Sequence, residues 1–459
     1  MEQSDDLLRQ RRNGYDHLSE QEREEMEAYC SRYCRFLNQA KTEREAVAQA
    51  IALAEDHGFR SYSGQAAPAP GDKLYRSNRG KGLILAVMGR RPLSEGCRIV
   101  VAHGDSPRLD LKPSPLCETE ELAFLKTHYY GGIKKYQWTA VPLALHGVFC
   151  LKDGNVQQVC IGEDPDDPVF CVPDLLPHLA NKQMEQKLSE AISGENLQIL
   201  FGSEPVGDQE AKDRIKRPLL ELLHQRYGVQ EEDFLSAELS LVPAMECREV
   251  GLDRSLLGAY GHDDRVCAYA GLEALWETEQ PEHTVICMLA DKEEIGSVGV
   301  SGMQSRFFDF FLADLCGGDG DIYRRCLSAS LCLSADVCNA FDPLYADVSD
   351  PQNSARLNHG VAVCKYTGSR GKSGASDASA ETVARFRAIF DGAGVAWQLA
   401  ELGKVDQGGG GTVAGYMANR NIDTLDAGVA LLSMHAPMEI AAKLDCYMLK
   451  KALTAFCGS

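Results

Sequence analysis

The sequence predicts an α/β protein whose mixed, mostly parallel sheet is flanked by helices and interrupted by an inserted β-rich domain. An apolar, β-branched run at residues 284–290 is typical of a buried strand in a parallel sheet. Similar runs alternate with amphipathic helical segments in both the first and the last part of the chain. The middle instead carries short alternating runs separated by turns. We therefore expect an α/β domain built from residues 1–105 and 242–459, with a β-rich domain inserted at 106–241.

Composition limits the class of protein. A chain of 459 residues with 44% hydrophobic and 25% charged residues is an ordinary globular protein of two or three domains at about 150 residues each. The formal charge of −20 argues against nucleic acid and anionic membranes as partners. No stretch resembles a membrane span, and residues 1–6 lack the basic and apolar regions of a secretory signal. The 17 scattered cysteines form no C-x-x-C motif, so we expect reduced thiols and a cytoplasmic location.

Two amphipathic helices are predicted near the amino terminus. Ser19 with Glu22, and Thr42 with Glu45, each have the spacing of a capping box at a helix start. Gly58 can terminate the second helix. These helices are expected to pack on the core.

The next predicted strand ends at a histidine. Strands are expected at 82–88 and 98–102, and the second runs into His103, with Asp105 two residues further on. This pair has the parts of a metal ligand and of the acid that orients it. A structural, hydrogen-bonded histidine is the alternative.

The inserted region has the pattern of an antiparallel sheet. The alternating run at 141–150 is followed by the turn residues Asp153 and Gly154. The segments 162–168 and 207–216 are polar or rich in Pro and acidic residues, so we expect exposed loops there.

The last part of the chain places acidic residues and a histidine at the ends of predicted elements. Asp263 opens a helical segment, where it could also be a simple cap. The strand at 284–290 is followed by Glu293 and Glu294, and two further apolar runs end at Asp336 and at His435. Two Gly-rich segments, 365–375 and 407–412, do not match the P-loop pattern, and flexible turns are the simpler interpretation.

We expect these polar residues to lie at the same edge of the sheet, because the carboxyl ends of strands and the starts of helices meet at the ligand-binding edge of an α/β sheet. Two Zn²⁺ ions could each take one histidine, one terminal carboxylate and a shared carboxylate. That arrangement uses five ligands and leaves one glutamate as a general base. The residues are His103, Asp263, Glu293, Glu294, Asp336 and His435.

The ordered motifs resemble a known family. From about residue 75 onward, the chain is similar to the aspartyl aminopeptidase/aminopeptidase I family of co-catalytic zinc metallopeptidases, and it looks like a bacterial member. The motifs that carry the resemblance are H-G-D-S-P, H-Y-Y-G-G, H-D-D-R, D-K-E-E-I-G-S, L-S-A-D and L-S-M-H. The resemblance implies two divalent metal ions per subunit. Zn²⁺ is the expected metal, and Co²⁺ and Mn²⁺ are the alternatives. It also implies the residue roles: one metal is bound by His103 and Asp336, the other by Glu294 and His435, with Asp263 as the bridge, Glu293 as the general base and Asp105 orienting His103.

The resemblance also implies an assembly and shows two departures. The inserted domain would mediate dimerisation, and dimers would form a tetrahedral dodecamer. Tyr136 stands where the family commonly has a histidine that reaches a neighbouring subunit's active site. Asp264 replaces an asparagine that the family often has after the bridging aspartate. The resulting D-D-R motif is similar to that of a related cobalt- or zinc-dependent aminopeptidase family.

The expected activity is removal of an acidic (Asp or Glu) or neutral residue from the free amino terminus of peptides. An acidic side chain would need a cation in its pocket, and the candidate substrate-binding residues are Tyr136, Lys134, Lys135, Arg370 and Lys372. Another dinuclear amidohydrolase, either a deacylase or a carboxypeptidase, is one alternative. A catalytically silent assembly protein is another.

Overall fold

The computed structural model describes residues 7–9, 11–65, 67–208 and 212–459. The expectation about a secretory signal concerns residues 1–6, which lie outside the described residues. The predicted loop at 207–216 lies partly outside them as well.

Helices form two layers around a large sheet. Both amino-terminal capping boxes are confirmed: the Ser19 hydroxyl accepts the Glu22 amide and the Thr42 hydroxyl accepts the Glu45 amide, while each glutamate accepts the amide of its cap. The α-helices of the described residues are α1 Glu20–Gln39, α2 Glu43–Asp56, α3 Asn181–Met184, α4 Leu188–Ala191, α5 Lys216–Tyr227, α6 His262–Trp276, α7 Phe307–Leu315, α8 Gly320–Ala329, α9 Ala380–Gly392, α10 Ala414–Ala418 and α11 Lys443–Cys457.

The strands belong to three main sheets and one short pair. In chain order, those of the described residues are β1 Arg60–Ser61, β2 Lys73–Asn78, β3 Gly82–Val87, β4 Arg98–His103, β5 Arg108–Thr119, β6 Leu122–Tyr130, β7 Leu143–Cys150, β8 Val156–Ile161, β9 Ile199–Gly202, β10 Ala237–Pro243, β11 Arg248–Val250, β12 Leu256–Ala259, β13 Val285–Ala290, β14 Leu331–Ser334, β15 Cys338–Asn339, β16 Val361–Cys364, β17 Gly368–Ser369, β18 Trp397–Leu399, β19 Gly409–Gly410, β20 Asp423–Gly428, β21 Ala430–Leu432 and β22 Glu439–Ala442.

The largest sheet has nine strands in the order β1-β2-β3-β13-β4-β14-β20-β16-β18. Its centre, β13-β4-β14-β20, is parallel. Strands β3 and β16 run antiparallel to their central neighbours β13 and β20. The predicted α/β class with a mixed, mostly parallel sheet is therefore confirmed.

The sheet is buried on both faces because alternate residues of each strand point in opposite directions. In β4, Val100 and Ala102 join one core with helices α1, α2, α6, α9 and α11. Ile99 and Val101 join a second core with α7, α8 and α10. This explains the continuous apolar runs that predicted central strands.

A six-stranded antiparallel sheet is built from strands that lie between β4 and β11 in the chain. Its order is β8-β7-β10-β5-β6-β9, and it has its own core, which includes Trp138, Phe149 and Leu241. These strands fall within residues 108–243. The exact domain limits of 106 and 241, and a dimerisation role for this unit, stay predictions.

The apolar runs before Asp336 and His435 are not continuous strands. The first begins in the last turn of α8 and becomes strand only at β14. The second is divided between the nine-stranded sheet (β20) and a five-stranded sheet of order β11-β12-β22-β21-β15. The break comes at Gly428, where a Cβ would lie 2.0 Å from the Asp336 carbonyl oxygen. Hydrophobicity alone did not reveal a close backbone approach of this kind.

Among the described helices, none combines the length and the apolar composition needed to cross a bilayer.

Candidate metal centre

Two groups of side-chain atoms that could hold a metal ion lie together at the carboxyl end of the nine-stranded sheet. One group is His103, Asp263 and Asp336, and the other is Asp263, Glu294 and His435. Within each group the ligand atoms lie within 4.8 Å of one another. Asp263 belongs to both groups, so the two candidate sites share one carboxylate.

The sheet topology brings these residues together. His103 ends β4, while Asp336 and Glu294 follow β14 and β13, the two parallel neighbours of β4. Asp263 is the second residue of α6, and His435 follows β21. Three adjacent strand ends thus supply one side of the centre, as expected for an open α/β sheet.

Asp263 directs one oxygen at each histidine. Its Oδ1 lies 3.2 Å from His103 Nε2, and its Oδ2 lies 3.0 Å from His435 Nε2. Glu294 Oε1 lies 3.5 Å from the same His435 nitrogen. The two imidazoles therefore flank a single carboxylate, which is the geometry that a bridging ligand requires.

Asp105 organises the His103 side of the centre. It is fully buried. Its Oδ1 accepts the amide of Glu293 at 3.1 Å, and its Oδ2 accepts the amide of Glu294 at 3.2 Å and the hydroxyl of Tyr130 at 2.8 Å. His103 Nδ1 lies 3.0 Å from the Asp105 carbonyl oxygen, which leaves Nε2 facing Asp263.

Two supporting acids were missed in the sequence. Glu439 accepts the amide of Asp263 at 3.0 Å and the amide of His435 at 2.7 Å. Asp264, noted above only as a departure from the family pattern, accepts the His103 amide at 3.2 Å. The four-residue spacing between His435 and Glu439 is the one available signal, and it is too common to be diagnostic.

Burial, neighbouring charges and hydrogen bonds shift the pKa values of the ionisable groups at the centre. Burial, reinforced by the charge of Asp263, holds the pKa of Glu294 well above its ordinary value, and burial with the charge of Asp264 does the same for Asp336. Burial and the charges of Asp263 and Asp105 also raise the pKa of Glu293. Burial alone would lower the pKa of His435, but the hydrogen bond to Asp263 and the charge of Glu294 raise it to about 10.

The donor set fits a divalent metal. Glu294 Oε1 is buried without a hydrogen-bond partner. An unpartnered buried carboxylate oxygen is costly unless a cation faces it. Imidazole nitrogens and carboxylate oxygens are ligands that Zn²⁺ takes in proteins.

A cavity of about 470 Å³ opens onto the centre, and Glu293 lies in its wall. Arg370 and Lys372 also line it, and Lys372 Nζ lies 3.0 Å from Asp377. The other candidate substrate residues, Tyr136 with Lys134 and Lys135, do not line this cavity, and the Tyr136 side chain is 42% exposed.

Comparison with known proteins places these features in a family context. Residues 36–457 match the family model described as aminopeptidase I zinc metalloprotease (M18). A probable M18 family aminopeptidase 1 of Clostridium acetobutylicum is 49% identical, covering 98% of this chain and 99% of the relative. Its counterpart in Thermotoga maritima is 45% identical over 95% of this chain and 96% of the relative.

Solved structures give the same match. The crystal structure of the Thermotoga maritima M18 aminopeptidase superposes with a TM-score of 0.93 at 44% identity, covering 98% of this chain and 99% of that one. Aminopeptidase I from Clostridium acetobutylicum gives a TM-score of 0.92 at 45% identity, covering 98% and 100%. The mApe1 dodecamer of S. cerevisiae shares the fold, with a TM-score of 0.77 at 19% identity, covering 94% and 97%.

Proposed function

The chain belongs to the aminopeptidase I zinc metalloprotease (M18) family and is a zinc-dependent aminopeptidase, and we propose that it acts through two metal ions and a glutamate base. The observation that carries the proposal is the pair of ligand groups joined by Asp263. Family membership favours an aminopeptidase over a deacylase, a carboxypeptidase or a silent assembly protein.

In the proposed site, His103 and Asp336 would hold one ion, Glu294 and His435 would hold the other, and Asp263, which belongs to both groups, would be shared between them. When bound, the zinc ions supply Lewis-acid polarisation of the scissile carbonyl and of the attacking water. Asp105 and Glu439 fix the orientation of these ligands through the hydrogen bonds described above.

Glu293 is the proposed general base. Its amide is held by Asp105, its side chain faces the cavity, and its neighbour Glu294 belongs to a ligand group. In the reaction, Glu293 takes a proton from water as the water oxygen bonds to the carbonyl carbon. The C–N bond then breaks, and Glu293 passes the proton to the leaving amine.

The test is the substitution Glu293→Gln, which keeps the shape of the side chain and removes its basicity. We expect full metal content by elemental analysis and a loss of at least about 10²-fold in kcat. Asp406→Asn is the matched control, because Asp406 is an exposed carboxylate in the wall of the same cavity. Near-normal turnover in Glu293→Gln would show that the base is another group.

We propose acidic or neutral side chains at the amino terminus of the substrate. The cavity wall offers apolar Leu402, Val405 and Met434 together with the cations Arg370 and Lys372. Asp377 already engages Lys372, so Arg370 is the better candidate to meet an acidic side chain. In a panel of free-amino substrates, Arg370→Met should lower cleavage of Asp and Glu substrates relative to Leu. An unchanged ratio would argue against this role.

We also propose a dimer-based homo-oligomer, up to a tetrahedral dodecamer, assembled through the β-rich unit. The segment 175–188 of that unit exposes apolar side chains to solvent, namely Leu175, Leu176, Leu179, Met184 and Leu188. Tyr136 stays a candidate substrate-binding residue, at the position where the family commonly has a histidine that reaches a neighbouring subunit's active site. Light scattering gives the mass of the assembly directly, and a monomer would exclude the proposal.

The proposed location is the cytoplasm. All 17 cysteines are free thiols, and free thiols persist in a reducing compartment. Fractionation of the source cells with compartment markers tests this directly.

A further inference from the structure

We propose that the turn ending β6, residues 130–132, positions the metal ligands, with Tyr130 acting through Asp105. This inference rests on the proposed metal site. It assigns a function to a strand of the six-stranded sheet, which contributes no residue to either ligand group.

The Tyr130 hydroxyl completes the hydrogen bonding of Asp105. It donates to Oδ2 at 2.8 Å, and the same oxygen accepts the Glu294 amide at a longer 3.2 Å. The carboxylate of Asp105 thereby connects His103 to the backbone of Glu293 and Glu294. Without the hydroxyl, the carboxylate keeps the amide contacts at 3.1 and 3.2 Å but loses its shortest contact, so its position beside His103 is less tightly fixed.

The Tyr130 ring is held independently of its hydroxyl. The Arg108 guanidinium lies 4.1 Å from the ring centroid, which is a favourable cation–π distance. Arg108 is buried and is fixed by ion pairs with Glu43 at 2.9 Å and Asp110 at 2.7 Å. Removal of the hydroxyl alone should therefore leave the ring in place.

The next two residues of the turn lie against side chains of the second ligand group, His435 and Glu294. The Gly132 carbonyl oxygen lies 2.7 Å from His435 Nδ1, so Nδ1 donates to it and Nε2 faces Asp263 and Glu294. Gly131 has φ of 75°, and a Cβ there would lie 3.2 Å from Glu294 Oε2. One short turn thus supports ligands of both groups.

The test compares Tyr130→Phe with the neighbouring Tyr129→Phe. Tyr129 is exposed and lies on the same strand. For each protein, zinc retention is measured at increasing concentrations of a chelator. The values of kcat and KM are then measured with zinc restored. The melting temperature is measured after complete chelation. For Tyr130→Phe we expect about 10-fold weaker zinc retention and a lower kcat with little change in KM. The melting temperature of the chelated protein should stay unchanged, and Tyr129→Phe should match the wild type throughout.

Two results would overturn the inference. One is zinc retention and kcat of Tyr130→Phe within twofold of the wild type. The other is a lower melting temperature of the chelated Tyr130→Phe protein, since a purely structural role predicts that loss. Failure of the two-metal proposal can be distinguished from failure of this inference. One ion per chain in the wild type would contradict the two-metal proposal. The comparison of Tyr130→Phe with the wild type would then be made on the single ion that is bound.

Discussion

Raising the pH from 6.5 to 9 is expected to weaken the fold through His146. This buried residue of β7 lies between two carboxylates: Nδ1 is 2.8 Å from Glu45 of α2, and Nε2 is 3.0 Å from Glu163. Burial alone would lower the pKa of His146, but the hydrogen bonds to Glu163 and Glu45 outweigh it and raise the pKa to about 9. The charged ring thus joins the six-stranded sheet to the helical layer of the large sheet.

The sign follows from linkage. The ordinary pKa of 6.5 applies to the unfolded chain and the raised value to the folded protein, so protonation favours folding. The stabilisation is fully present below pH 6.5 and is lost as the pH rises through about 9. The difference between the two pKa values corresponds to at most about 3 kcal/mol. Lys41, 4.0 Å from Glu163, competes for that carboxylate and makes the figure an upper bound.

The assay is urea unfolding of zinc-loaded protein at pH 6.5, 7.5 and 9, comparing the wild type with His146→Gln. Zinc binding also depends on pH, but it does so in both proteins, so the difference between their slopes isolates His146. We expect the wild type to lose more stability than the variant by about 1–3 kcal/mol across this range. His128→Gln is the control, because His128 is an exposed histidine of the same sheet. Equal slopes for the wild type and His146→Gln would refute the reasoning.

Three further outcomes are expected. Asp263→Ala should lose metal from both ligand groups, and full zinc content by elemental analysis would contradict a shared ligand. Ser19→Ala removes the cap hydroxyl that accepts the Glu22 amide and should lower the free energy of unfolding by about 1 kcal/mol in urea titrations; an unchanged midpoint would argue against the cap. Phe311→Ala, at a fully buried position of α7, should cost about 3–5 kcal/mol in the same titrations without altering zinc content. A loss below 1 kcal/mol would mean that the core collapses around the gap.

The candidate site residues at these strand ends could be predicted because their signals are local. His103, Glu293 and Glu294 follow apolar runs that are typical of buried parallel strands, and in the structure they lie at or just after the ends of β4 and β13. The adjacency of these strands is not local, since β13 pairs with β4 across nearly 200 residues that include the inserted sheet. The assignment of metals to ligands therefore depended on family resemblance rather than on the pattern.

The supporting residues could not be predicted because they act across large separations in the chain. Tyr130 is 25 residues from Asp105, and Gly132 is 303 residues from His435. Both residues belong to the H-Y-Y-G-G motif, but the motif alone does not show which atoms they contact in the folded chain. Glu439 is equally inconspicuous, since its role is to accept two backbone amides that come together only in the folded chain.

The wide separation of the donors along the chain has a consequence for synthesis. His103 belongs to the first quarter of the sequence, whereas His435 lies 24 residues before Ser459. Domains fold largely from the amino terminus as the chain emerges, so the group of Asp263, Glu294 and His435 cannot form until His435 has left the ribosome. A nascent chain that stops before His435 therefore lacks one of the two candidate ligand groups. We expect such chains to show no peptidase activity.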